Sequence, residues 1–259
     1  YIPHAVDKRV YKKIDEQAIK EFKEQNFPEH NDRVIFFWNN RNARRKQSGT
    51  LVYWFNKFAE EVGPENVCLI MHTDPKDLNG SDLETMLQDY GIDDGRIMIS
   101  KGKMPAEGLS LMYNMVDCTI NVSDAEGFGL STLESLACGT PIIVNMTGGL
   151  QEQVTDGEEF FGVGLEPAAK AVIGSQQVPY IYEDRVSEEQ VVNAMKKIYD
   201  MTSQERSELG DRATEYVKNN YSYEKFQKQW IELVDDIIER HGSWNNRRGY
   251  TPWSIKEVK

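Results

Sequence analysis

Three stretches of this 259-residue sequence combine ionisable side chains or glycines in patterns that could hold an anionic ligand. The first, Asn39-Asn-Arg-Asn-Ala-Arg-Arg-Lys46, places four cations within eight residues, directly after the apolar run Val34–Trp38. A planar guanidinium at Arg41 and a point charge at Lys46 suit the oxygens of a diphosphate. A solvated charged loop explains the same composition, and a nucleic-acid contact is a third reading that the lack of interleaved aromatic residues disfavours. The second stretch runs Ser123-Asp-Ala-Glu-Gly-Phe-Gly-Leu-Ser-Thr-Leu-Glu134. Gly127 and Gly129 flank Phe128, so the backbone can approach a ligand closely and offer the free amides at about Gly129 to Thr132 to an anion. Glu126 precedes the turn and Glu134 lies one helical turn beyond it, so both carboxylates can face one crevice. A carboxylate there can accept hydrogen bonds from two sugar hydroxyls at once. The plain alternative is a tight strand-to-helix turn with Glu134 as a favourable N-terminal acid. The third stretch, Asn145-Met-Thr-Gly-Gly-Leu-Gln-Glu152, sets Gly148 and Gly149 between a strand and a helix, where backbone without Cβ atoms lets a sugar or phosphate rest.

Each stretch follows a short apolar run of strand type. Strands are expected at Val34–Trp38, Val67–Met71, Ile97–Ile99, Cys118–Val122 and Pro141–Val144, alternating with helices at about 50–62, 81–90, 105–117 and 130–138. Strict alternation implies an α/β fold, a Rossmann-like doubly wound parallel sheet with flanking helices. In such a sheet ligands sit at the carboxyl ends of the strands, which is where all three stretches fall. Ahead of the sheet, apolar positions at Val10, Ile14, Ala18, Phe22 and Phe27 predict one amphipathic helix over 8–27. Behind it, residues 157–185 show no clear period and read as a long irregular connection. Helices follow at about 187–201, 203–219 and 223–240, the first opened by a capping box of Ser187 and Gln190, and the tail after Gly242 reads as extended.

Composition narrows the function classes. With 42 Asp and Glu against 30 Lys and Arg the formal charge is −12, which opposes general binding to nucleic acid or to an anionic membrane. Cys68, Cys118 and Cys138 are odd in number and far apart, so neither a disulfide framework nor a zinc knuckle is expected, and a reducing cytoplasm is the expected setting. No apolar run approaches the ~18–20 residues of a membrane helix, and the start at Tyr1 resembles no signal peptide. A sequence that opens without Met is expected to be a piece of something longer.

The run from Glu126 to Glu134 resembles the E-x7-E motif of retaining GT-B glycosyltransferases, family 4 in particular. As in that family, Ala137-Cys-Gly-Thr-Pro-Ile-Ile-Val144 and then Gly148-Gly149 follow it. Arg41 and Lys46 have the family's R-x4-K spacing, and Ile2-Pro-His-Ala-Val-Asp7 resembles the linker that opens its C-terminal half. The resemblance covers roughly residues 1–240. A fainter likeness, in Asn40–Lys46 and Pro179–Asp184, is to glycosyltransferases of large DNA viruses and phages. The resemblance implies catalytic roles for Arg41 and Lys46, which would neutralise the diphosphate of a departing nucleotide, and for Glu126, which would face the donor sugar. It implies that Glu134 accepts hydrogen bonds from the ribose and that the backbone from Gly127 through Phe128, Gly129 and Leu130 to Ser131 holds sugar and phosphate oxygens. The base would lie near Ser100 to Lys103, against Lys101 and Gly102, and Gly148 and Gly149 would also line the site. The donor would be a UDP- or GDP-sugar, used as substrate with no cofactor and no metal. The acceptor, whether glycan, protein, lipid or small molecule, is left open. Retention would follow from front-side attack, with the leaving phosphate taking the acceptor's proton.

Two departures stand out. Asn40 occupies the position where the family usually has Gly before its Arg, and the resemblance implies an N-terminal, acceptor-binding domain that is not expected within these 259 residues. The expected division is therefore a linker and helix over 1–30, a nucleotide-sugar-binding domain over 31–222, and a helix and tail over 223–259 that would contact the missing half. Trp230 is expected to pack on this domain, whereas for Trp244, Tyr250 and Trp253 packing and docking are both open. His4, His30, His72 and His241 show no metal-ligand spacing, and His72, at a strand end, is the one expected near the crevice. Asp117 and Asp124 flank the fourth strand and are explained equally by ligand contact or by a helix end and a turn. Two rivals remain: a GT-B-like epimerase or phosphorylase, and a non-catalytic nucleotide-sugar-binding or assembly module.

Overall fold

Val34–Asn39 (β1) is apolar at successive positions because both its faces are covered. Ile35 and Phe37 pack on one side with Tyr113, while Phe36 and Trp38 pack on the other with Phe55 and Phe58. A computed structural model describes residues 1–243 together with 245, 246, 248 and 249. The expectations for Trp244, Tyr250 and Trp253 lie outside the described residues. The other strands of the sheet are Val67–His72 (β2), Ile97–Ser100 (β3), Cys118–Asn121 (β4), Ile142–Asn145 (β5) and Gly162–Leu165 (β6). Among the described residues these six strands pair in parallel in the order β3-β2-β1-β4-β5-β6. Val34 stands opposite Val67 and Phe36 opposite Cys118, so the strands leading to the first two charged stretches are neighbours. The order runs outward in both directions from β1 and β4, so the chain reverses its winding between these two strands and leaves a crevice at their carboxyl ends.

The helices that wind the sheet are Ser48–Val62 (α2), Leu83–Asp89 (α3), Ala106–Met115 (α4), Leu130–Ala137 (α5) and Leu150–Val154 (α6), preceded by Glu16–Asn26 (α1). Glu188–Asp200 (α7) packs on α2, Ser203–Asn220 (α8) packs on α5, and Tyr223–His241 (α9) closes the described chain. The Ser187–Gln190 capping box is formed, and Thr202 with Glu205 makes a second one.

Three expectations are corrected. The helix expected over 8–27 begins only at Glu16. Asp7 instead closes a turn by accepting from the Arg9, Val10 and Tyr11 amides, Asn114 captures the Ile14 amide, and Asp15 caps the helix through the Gln17 and Ala18 amides. The irregular stretch 157–185 contains β6 and an antiparallel hairpin, Ala169–Ile173 (β7) with Ile181–Arg185 (β8). Trp230 does not pack into the domain: it is 46% exposed, and no residue of α9 is buried.

Candidate functional site

The loops that leave β1 and β4 meet across the crevice. Lys46 Nζ donates to Glu126 Oε2, and the two side chains are only 9% and 10% exposed. Arg45 flanks the same carboxylate: its Nη1 lies 3.7 Å from Glu126 Oε2 and donates to the Ala125 carbonyl at 2.6 Å. Burial pulls the Lys46 ammonium below its ordinary pKa, and the Glu126 carboxylate opposes that effect. A cation and a carboxylate from two different loops are thus held at one point above the diverging strands.

Arg41, the other half of the expected pair, is placed elsewhere. Its Nε and Nη2 donate to Asp77 Oδ2 and Oδ1 at 2.6 and 3.1 Å, and its side chain is 66% exposed. The guanidinium, with Asn79, holds the Asp77 carboxyl well below the usual carboxylate range. Arg44 turns to the hairpin and donates to Glu183, which is buried between Arg44 and Arg185 and held below its ordinary pKa first by the Arg44 hydrogen bond.

Glu134 stands on α5, where it is aimed by a chain of hydrogen bonds. Asn39 Nδ2 donates to the Tyr113 hydroxyl, and that hydroxyl donates to Glu134 Oε2, both at 2.9 Å. Burial raises the Glu134 pKa, against the hydrogen bonds of Tyr113 and Tyr11 that lower it. Tyr113 is fully buried on α4 and sequence reasoning did not single it out. A buried tyrosine must find a partner for its hydroxyl, but nothing in the sequence says which one.

The two glycine loops interlock. Gly149 N donates to Gly127 O at 3.3 Å. At Gly148, with φ +51, a Cβ would stand 1.7 Å from the Glu126 carbonyl oxygen, and at Gly149 it would meet the Phe128 backbone at 2.7 Å. These glycines therefore let the third stretch lie against the second. Gly127 and Gly102, by contrast, have nothing within 4 Å of the position of a Cβ. Gly129 caps α5, and Leu130 and Ser131 open its first turn, whose amides have no partner within the helix.

Around the expected base position, Lys101 pairs with Glu84, and His72 Nδ1 lies 3.0 Å from Ser100 Oγ at the ends of β2 and β3. His72 is not alone beside the crevice, because His4 packs edge-on against Phe128 with ring centroids 4.9 Å apart. Asp124 is buried among Gln47 and Arg185, whereas Asp117 lies at the opposite end of β4, where it accepts from the Ile35 amide and pairs with Arg206. Asp117 thus has a structural position away from the crevice.

This fold and site define a Rossmann-like α/β domain of the GT-B type, with its charged loops gathered at the switch between β1 and β4. Residues 18–219 match the family described as glycosyl transferases group 1, and the chain belongs to that family. It is 28% identical over 236 residues to an N-acetyl-alpha-D-glucosaminyl L-malate synthase of Bacillus anthracis, a match that covers 90% of this chain and 52% of that protein. In structure it is similar to a sucrose-phosphate synthase from Thermosynechococcus elongatus, with a TM-score of 0.71 at 24% identity, covering 92% of this chain and 52% of the other. It is also similar to HepE of Anabaena, solved in complex with UDP-glucose, with a TM-score of 0.70 at 15% identity, covering 91% of this chain and 57% of the other. The chain spans about half the length of these proteins. Among the described residues no helix is long and apolar enough to cross a membrane.

Proposed function

We propose that this chain is the donor-binding half of a retaining, metal-independent hexosyltransferase that takes its sugar from a UDP- or GDP-linked donor. The observation that carries this reading is the buried Lys46–Glu126 pair across the crevice. A diphosphate entering there offers Lys46 a stronger, doubly charged partner and releases Glu126 to face the sugar. Arg41 reaches the same phosphates by exchanging Asp77 for them, a contact on the exposed side of the loop. Glu134 accepts from Tyr113 and Tyr11, and a carboxylate has lone pairs enough to take the ribose hydroxyls as well. The amides that open α5, and Gly127 with its open Cβ position, are the groups we assign to the sugar and phosphate oxygens.

In this mechanism the bond from the anomeric carbon to the leaving phosphate oxygen breaks. A bond from the acceptor oxygen forms on the same face, and the acceptor's proton passes to the leaving phosphate. Lys46 and Arg41 stabilise the charge that develops on that phosphate. Donor identity is open between the two nucleotides, and the acceptor is unspecified.

Calorimetric titration with UDP-glucose and GDP-mannose tests the reading. Wild-type chain is expected to bind at least one of them. Glu134→Ala and Arg41→Ala are each expected to weaken binding by about tenfold or more, the loss of a charge-assisted hydrogen bond. Absence of binding by both nucleotide sugars and by free nucleotides overturns it.

A further inference from the structure

Gln47, directly after Lys46, is the sole non-glycine residue with positive φ among the described residues, at φ 55 and ψ 34. L residues avoid this left-handed conformation, so something must hold it. Capping of α2 does not, because Gln47 sits at the N-cap position without a side-chain bond to the helix amides. Its side chain is instead tied at both ends. Nε2 donates to Asp124 Oδ2 at 2.5 Å, and Oε1 accepts from Thr50 Oγ1 at 2.5 Å. On the other side of Lys46, the Asp124 amide donates to the Arg45 carbonyl at 2.8 Å. Lys46 is therefore bracketed: Arg45 before it and Gln47 after it are both fastened to Asp124, which stands two residues from Glu126.

We propose that Gln47 is a positioning residue, whose side chain fastens the Lys46 turn to Asp124 and so keeps the Lys46 ammonium on Glu126, in the place where it meets a donor diphosphate. The donor-binding part rests on the function proposed above; the placement of Lys46 does not. A glycine would adopt this backbone without strain, so the turn alone does not call for glutamine. What glutamine adds over glycine is the tether.

That difference supplies the test. Gln47→Gly keeps the turn accessible and removes the tether. Lysine acetylation by a dilute amine-acylating reagent, read residue by residue by mass spectrometry, reports on Lys46, with the remote Lys13 as a control for general loosening. In Gln47→Gly, Lys46 is expected to acetylate several-fold faster while Lys13 is unchanged, with the melting temperature within about 3 °C of wild type. Affinity for whichever nucleotide sugar the wild type binds is expected to fall about tenfold or more, as misplacement of a ligating charge does. Unchanged Lys46 acetylation, or a parallel rise at Lys46 and Lys13, overturns the proposal and leaves Gln47 a purely structural residue. A wild type that binds no nucleotide sugar defeats the proposed function, yet the acetylation comparison still decides whether Gln47 positions Lys46.

Discussion

At the scale of single residues, the Lys46–Glu126 pair is an expensive device for holding a loop. Withdrawing two charges from water costs several kcal/mol for each ion, and the pair returns that only through close mutual contact. Lys46→Met is therefore expected to destabilise the fold by about 3–5 kcal/mol, because it leaves Glu126 buried without a counter-ion. Lys46→Met combined with Glu126→Leu is expected to recover most of that loss in chemical denaturation while nucleotide-sugar affinity stays lost. A double variant no more stable than the single one shows that the pair serves stability rather than a ligand. Glu134 makes the same argument through pH. Its pKa in the fold lies above the ordinary glutamate value of 4.5, so the folded state holds the proton to a higher pH than the unfolded chain does. The resulting stability is present below 4.5 and is lost as pH rises through the folded-state value. Glu134→Gln is thus expected to melt higher than wild type at neutral pH, to lose that advantage below pH 4.5, and to bind nucleotide sugar more weakly throughout. The stretches that carry Lys46, Glu126 and Glu134 were legible as candidates in the sequence, since a cluster of cations, or carboxylates around a glycine turn, directly after a strand-type run is a local pattern. Tyr113, Glu183 and Gln47 were not, because their partners lie 21, 139 and 77 residues away and a single chain carries no sign of such pairings.

At the scale of elements, the site depends on the second and third loops lying backbone to backbone. Gly148 is where this is tightest: a Cβ there meets the Glu126 carbonyl, at a backbone angle that L residues avoid. Gly148→Ala is expected to cost more than about 2 kcal/mol and to displace Glu126, so thermal stability and nucleotide-sugar binding fall together. Gly127→Ala separates the two effects, because open space surrounds that position. Its melting temperature is expected to stay near wild type, and any loss of affinity then reports contact with the ligand. An equal drop in stability for both variants argues against the interlock. The same elements show where sequence reading succeeds and where it stops. β1, β2, β3 and β5 were legible as apolar runs, since a strand covered on both faces has no alternation to hide it, and β4, which mixes Thr119 and Asn121 with apolar residues, was legible by its place in the alternation of strand and helix. β6 was not, because Gly162 and Gly164 replace the apolar residues a reader looks for. At Gly162 a Cβ would stand 2.0 Å from the Ile142 carbonyl oxygen, so close approach to β5 excludes a side chain. The hairpin that follows was missed because its strands are largely exposed and its one buried side chain, Glu183, is a carboxylate.

At the scale of the whole molecule, the last helix carries an apolar stripe that the described residues leave exposed. Trp230, Ile231, Val234, Ile237 and Ile238 recur at helical spacing along α9, all exposed, on an element without a single buried residue. A helix paired with its own domain would bury that stripe, as α7 does with Val191, Ala194, Met195 and Ile198. The net charge of −12 resists indiscriminate self-association, so the stripe points to one specific cover. On the function proposed above, in which this chain is the donor-binding half, that cover is the enzyme's other half, in keeping with a chain that spans about half the length of its relatives. On that reading transfer by this chain alone is expected to be slight and donor binding is expected to persist. Val234→Lys with Ile238→Lys tests the assignment. In the isolated chain the pair is expected to change stability by no more than about 1 kcal/mol, the range for exposed positions, and to leave nucleotide-sugar affinity intact. In a protein carrying both halves, the same substitutions are expected to abolish most of the sugar transfer, since the acceptor side then loses its register with Lys46 and Glu126. A large loss of stability in the isolated chain would mean that α9 folds back onto this domain, and undiminished transfer by the two-half protein would mean that the stripe serves another partner.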